Sequence, residues 1–136
     1  MPFNPLDYPI LFTCPLLMTE QSAWIEHIPF AYMLTQMCRP TRLVELGTQR
    51  GDSYCAFCQA VTDLQLPTRC FAVDTWQGDE HTGPYSDTAL KELRAHHDPR
   101  YGSFSTLMHI TFDEAVKQFA DQSIDLLHID GLHTYE

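Results

Sequence analysis

Short apolar runs alternate along this chain with stretches of helical spacing. Leu43-Val44-Glu45-Leu46, Arg69 to Asp74 and Ile124 to Asp130 are near-continuous apolar runs, and Ser105 to Ile110 is a weaker one. Runs of this kind suit strands covered on both faces. Between them, Asp52 to Val61, Ala89 to His97 and Thr111 to about Ala120 carry helical patterns. Ser86 or Asp87 is expected to cap the second of these, and Asp98, Pro99, Tyr101 and Gly102 to end it. In front, Gln21 to Met37 reads as a helix with Trp24, Ile25, Ile28, Tyr32 and Leu34 on one side. Pro29 predicts a kink there or two shorter helices. Residues 1–19, rich in proline and aromatics, read as an irregular arm. The resulting period β-α-β-α-β-α-β predicts an α/β fold with a parallel sheet and right-handed crossovers. Residues 1–39 are then an N-terminal arm and helix, and residues 40–136 the domain itself.

The first strand leads into Gly47-Thr48-Gln49-Arg50-Gly51-Asp52-Ser53. Glycines at 47 and 51 permit a tight turn and close backbone approach to a ligand, and Asp52 or Ser53 can cap the helix that follows. A strand, glycine turn and helix N-terminus is a common way to hold part of a nucleotide-like ligand. The motif is E-x-G-x-x-x-G and not G-x-G-x-x-G. Glu45 stands where a dinucleotide fold has its first glycine, and a carboxylate there repels phosphate. An acidic lip suits a ligand with a ribose and a positive charge but no phosphate, such as S-adenosylmethionine; Arg50 argues the other way, toward an anion.

Asp74 closes the second strand 23 residues after Gly51, about the spacing at which an acidic residue reaches a ribose hydroxyl, roughly 20 residues on. Asp130 closes the fourth. In a parallel sheet Glu45, Asp74 and Asp130 share one edge, which predicts an acidic pocket. The loop from Thr75 to Asp87 follows a strand end, where α/β sites lie. Its Trp76, His81 and Tyr85 are candidates for lining that pocket, with Trp76 alternatively packed under the loop.

Composition narrows the classes. The chain has 136 residues, enough for one domain with a real core. Its formal charge of −10 argues against nucleic acid and against an anionic membrane surface as partners. The apolar run from Tyr8 to Met18 contains two prolines and is too short to span a bilayer. Five cysteines, an odd number with no secretory signal, suggest reduced thiols and a cytoplasmic location. Cys55 and Cys58 form a C-x-x-C, but the pair falls inside the helix and not at its start, so burial explains it better than redox chemistry. His96 and His97 read as a surface pair near a helix C-terminus. His128, Asp130 and His133 could bind a divalent metal, although a satisfied core histidine is the ordinary role for His128.

Taken together, VELGTQRGDSY, FAVDTWQGDE and IDLLHIDGLHTYE resemble class I S-adenosylmethionine-dependent methyltransferases. The nearest group is the methyltransferase-domain family whose fourth strand ends in I-D-G-x-H-x-Y, similar to macrocin-type and catechol-type O-methyltransferases. The resemblance covers about residues 40–136. It implies a Rossmann-like doubly wound parallel sheet, of which this chain holds the first four strands and lacks the C-terminal ones. It implies that Glu45, Gly47, Thr48, Gly51 and Ser53 form the first cofactor motif. Asp74, Thr75 and Trp76 would lie at the ribose, and Asp113 near the adenine. Asp130 would sit beside the methyl group as general base or ligand of a metal such as magnesium, with His133 as a second base. The implied reaction is transfer of a methyl from S-adenosylmethionine to an oxygen of a small molecule or of a sugar or glycan. The alternative is a truncated or split non-catalytic module, completed by a partner chain or a second copy.

Overall fold

A computed structural model of the chain describes residues 2–20, 22–80, 83–84 and 88–132. After two short 3-10 turns, Pro5–Asp7 and Pro9–Phe12, and a third at Ile25–His27, the chain enters helix α1, Ile28–Cys38. Pro29 lies in the first turn of α1 and does not kink it, because a proline there gives up an N–H that has no helical partner anyway. The expected helix from Gln21 therefore begins later, with the 3-10 turn in place of its first part.

Strand β1 (Arg42–Leu46), helix α2 (Asp52–Asp63) and strand β2 (Arg69–Asp74) follow. Two-residue strands β3 (Gly78–Asp79) and β4 (Gly83–Pro84) pair antiparallel within the expected loop. Helix α3 (Thr88–Tyr101), strand β5 (Ser105–His109), helix α4 (Phe112–Val116) and strand β6 (Leu126–Ile129) complete the order. The sheet runs β5-β2-β1-β6, and every neighbouring pair is parallel. This is the expected Rossmann-like α/β fold. The residues proposed to cap α3, Ser86 and Asp87, lie outside the described set.

Strand alternation decides which side chains meet which layer. Leu43, Cys70, Ala72 and Leu107 join Ile28, Ala31, Tyr32, Tyr54, Phe57 and Tyr101 in the main core beneath α1, α2 and α3. Val44 and Val73 face the other way, against Ala115 of α4 and the partly buried Phe71, Met108 and Phe119. That second layer is thin. Leu127 and Ile129 of β6 stay 46% and 60% exposed on it, at an edge of the sheet.

Two expectations for α3 are corrected. The helix runs through Pro99 to Tyr101, about a turn beyond the expected end at His97. His97 is not on the surface: it is 1% exposed. Its ring nitrogens lie 2.7 Å from Asp98 Oδ1 and 2.7 Å from Ser105 Oγ, and Ser105 also meets the Tyr54 hydroxyl. The pattern of α3 could not show this, because Ser105, which meets the buried ring nitrogen of His97, sits on β5. α4 is likewise shorter than expected, ending at Val116. Cys55 and Cys58 are buried in α2. Burial, foremost, pushes both thiols well above their ordinary pKa, so neither is poised for redox exchange.

The N-terminal arm packs on the same core. Gln59 of α2 takes the Leu16 N–H on its side-chain oxygen (2.9 Å) and donates to the Cys14 carbonyl (2.9 Å). Tyr32 donates to the same Gln59 oxygen at 3.1 Å. No helix among the described residues is long and apolar enough to cross a membrane.

Candidate functional site

The sheet order puts β1 between β2 and β6: the connection after β1 leads to β2 on one side, and the crossover after β5 returns to β6 on the other. Crevices at such switch points are where open α/β sheets bind ligands. A cavity of about 640 Å³ opens there. It is lined by Gly47 to Arg50, Asp52 and Ser53 of the loop and helix start, by Asp74, Thr75, Gly78 and Asp79 at and after the end of β2, by Asp130 to Leu132 after β6, and by Thr19, Glu20 and Ser22 to Trp24 of the arm.

Gly47 sets the floor. Its N–H bonds the Val73 carbonyl at 2.9 Å, and the Asp130 N–H bonds the Leu46 carbonyl at 2.8 Å. The residue is therefore pinched between the ends of β2 and β6. Its φ is +86°, and a Cβ built there would lie 2.5 Å from the Asp130 carbonyl oxygen. Gly51, at φ +89°, is the N-cap of α2. Asp52 or Ser53 is the expected cap, but neither side chain caps the helix. The Asp52 carboxylate turns to the arm and accepts from the Thr19 N–H (2.7 Å) and hydroxyl (2.6 Å).

The three strand-end carboxylates do not share the cavity. Asp74 and Asp130 line it, one on each side of β1. Glu45 lies behind the loop, fully buried. Alternation turns it toward α2, where its carboxylate accepts from Thr48 Oγ1 (2.8 Å) and Ser53 Oγ (2.5 Å) and meets His128 Nδ1 at 2.7 Å. Glu45 thus braces the glycine loop from below and forms no acidic lip. Burial opposes protonation of His128, yet the hydrogen bond and charge of Glu45, helped by Asp130, raise its pKa above the ordinary value.

Asp74 is a loop clamp. Oδ2 accepts the backbone N–H of both Thr48 and Gln49 at 2.9 Å, and Oδ1 accepts that of Trp76 at 2.8 Å. A carboxylate offers about four acceptor positions, so room remains for one further donor. Thr48, Ser53 and Thr75 line the cavity as expected. Trp76 does not: it is 6% exposed, has φ +50°, and its indole donates to the Gln49 carbonyl at 2.9 Å. It packs under the loop, the alternative weighed for it. Asp113 sits in the exposed first turn of α4, away from the cavity lining. His81, Tyr85 and His133 lie outside the described residues.

Sequence reasoning missed the arm. Thr19, Glu20, Ser22, Ala23 and Trp24 form one wall, and Trp24 donates its indole N–H to Asp130 Oδ2 at 3.1 Å. No spacing signal joins positions 106 residues apart; only folding does. Among the described residues, the cavity's charged lining is Glu20, Asp52, Asp74, Asp79 and Asp130 against Arg50. Among the described residues, no three His, Cys, Asp or Glu side chains converge as a metal site.

Known proteins agree with this geometry. A family model described as "Methyltransferase domain" matches residues 44–136. A relative from Sinorhizobium fredii (strain NBRC 101917 / NGR234), "Uncharacterized protein y4gI", is 50% identical over 131 residues, which are 96% of this chain and 14% of that one. Among solved structures, the fold is similar to an O-methyltransferase from Bacillus cereus in complex with SAH (TM-score 0.59, 13% identity, 83% of this chain and 47% of that one). It is also similar to the SAH-bound Podospora anserina methyltransferase PaMTH1 (TM-score 0.58, 17% identity, 77% and 40%). The chain thus spans less than half the length of each of these three proteins. With its motif order, its parallel sheet and a family match over more than half its length, the chain belongs to the methyltransferase-domain family.

Proposed function

We propose that this chain is the cofactor-binding part of an S-adenosylmethionine-dependent O-methyltransferase acting on a small molecule or a sugar or glycan hydroxyl. The observation that carries the reading is the cavity over the Gly47–Gly51 loop, with Asp74 and Asp130 on its two sides. The fit rests on the donor set. Five carboxylates and one guanidinium make walls that favour a cation and disfavour a pyrophosphate. The volume suits a ligand of nucleoside size. The SAH named for two of the similar structures is in keeping with it.

When bound, S-adenosylmethionine supplies a methyl on a positively charged sulfur, which an oxygen nucleophile displaces. Asp74 would take a ribose hydroxyl on its remaining acceptor position while still holding the loop amides. Thr48, Ser53 and Thr75 would flank it. Asp130 would accept the proton of the acceptor hydroxyl, the role of a general base positioned within hydrogen-bond reach. The Glu45–His128 pair would stay beneath, keeping the loop in shape.

A second reading is a module that binds cofactor only when its sheet is completed by a partner chain or a second copy. It is favoured by the exposed Leu127 and Ile129 at the β6 edge, since an open edge of this kind invites pairing. Calorimetry with S-adenosylmethionine, S-adenosylhomocysteine and NAD separates the two. Binding of the first two and not of NAD is the expected result. A folded chain that binds none of the three would overturn the first reading in favour of the second.

A further inference from the structure

We propose that Trp24 is a positioning residue for Asp130, and that the arm segment carrying it is a built wall of the cavity. This rests on the cofactor reading of that cavity. Four observations converge on it. The Trp24 indole N–H reaches Asp130 Oδ2 at 3.1 Å from 106 residues away. The same ring stands edge-on to His128, 4.9 Å between centroids, and 6.1 Å from Phe57. The indole is therefore held on the far side by the core while its N–H meets the carboxylate. At the other end of the segment, Thr19 is tied through two hydrogen bonds to Asp52 in the first turn of α2. Both ends are thus anchored to elements that begin or close the cavity, and both Trp24 and Thr19 line it.

The physical consequence is orientation. A carboxylate on a short stem after a strand end can turn about two bonds, and one fixed donor restricts that turning. An indole offers a single N–H and no acceptor, so it meets Asp130 through one carboxylate oxygen only. The same ring stands edge-on beside His128, which fixes its plane as well as its N–H.

Indole N–H resonances of the full chain test this, because its two tryptophans, Trp24 and Trp76, are told apart by Trp24→Phe. Asp130→Asn is expected to shift the Trp24 resonance and leave that of Trp76 in place. S-adenosylhomocysteine is expected to move the Trp24 resonance as it binds. Trp24→Phe keeps a ring over His128 and removes only the donor. It is expected to weaken S-adenosylhomocysteine binding about threefold to tenfold, the range of one lost hydrogen bond, and to add no further loss in an Asp130→Asn background. A Trp24 resonance indifferent to Asp130→Asn, or losses that multiply in the double variant, would overturn the proposal. A resonance that responds to Asp130→Asn in a chain that binds no S-adenosylhomocysteine would uphold the contact and overturn the cofactor reading instead.

Discussion

At Glu45, a residue whose position in the sequence suggests a ligand-facing role, the structure shows a brace. Its carboxylate receives two hydroxyls and an imidazole in a site with no exposure. Such a buried group is tolerated when it is hydrogen-bonded, and both of its oxygens are. The raised pKa of His128 makes this pair pH-sensitive. Protonation is favoured in the folded chain. The stabilisation is therefore fully present below about pH 6.5, the ordinary histidine value, and is lost as pH rises through the higher folded-state value. His96, whose pKa is lowered by burial first and then by Arg100 and His97, acts with the opposite sign and on the other side of that value: its cost to the fold appears as pH falls below about 6.5. Melting temperatures from pH 5.5 upward should therefore be compared between the wild type and His128→Asn; the wild type should lose more stability with rising pH. Equal slopes would show that the pair is not charged. Gly47 gives a second test at this scale. Gly47→Ala places a methyl against the Asp130 backbone in a conformation that L residues resist. A loss of about 1–3 kcal/mol in denaturant unfolding is expected, and a loss below about 0.5 kcal/mol would show that the loop relaxes freely.

Among the elements, α4 shows most clearly what local sequence can do. It is five residues long, and its N-terminus is a capping box: Thr111 Oγ1 accepts the Glu114 N–H, and Glu114 accepts the Thr111 N–H at 3.0 Å. Those hydrogen bonds also hold the Glu114 carboxyl below its ordinary pKa. Thr111→Ala should cost about 1 kcal/mol in the same unfolding measurement. An unchanged midpoint would mean that packing of Ala115 alone holds the helix. α2 teaches the reverse. Its sequence offers Asp52 as a cap, yet the structure uses Gly51 and sends Asp52 to Thr19, because the arm passes close enough to compete for the carboxylate. α3 likewise continues through Pro99, past the point where a proline usually marks an end. Tyr101 in its last turn is 2% exposed, so the turn beyond the proline is retained where it buries an aromatic ring.

For the molecule as a whole, charge and topology meet at one edge of the sheet. The formal charge of −10 is partly gathered in the cavity lining. If the occupant is S-adenosylmethionine, its affinity should fall with ionic strength more steeply than that of neutral-sulfur S-adenosylhomocysteine, because only the former brings the sulfonium charge. Titrations at about 20 mM and about 500 mM salt, beyond and within the range where such charges are screened, measure the difference. Parallel salt dependences would remove the acidic walls from the recognition scheme.

The alternation of apolar runs with helical stretches determined the parallel α/β fold. The motif order determined the glycine loop and two of the three strand-end acids at the cavity, Asp74 and Asp130. These are local and periodic properties, carried by residues a few positions apart. Only the tertiary structure decided that Glu45 turns inward to His128, that His97 is buried on Ser105, that Asp74 is engaged by the loop amides, and that Trp24 meets Asp130. Each of these depends on which face of a strand a side chain occupies once its neighbours are known, or on contacts between segments far apart in sequence. No window of a single chain contains both partners of such a contact, and it is the packing of the layers that brings them together.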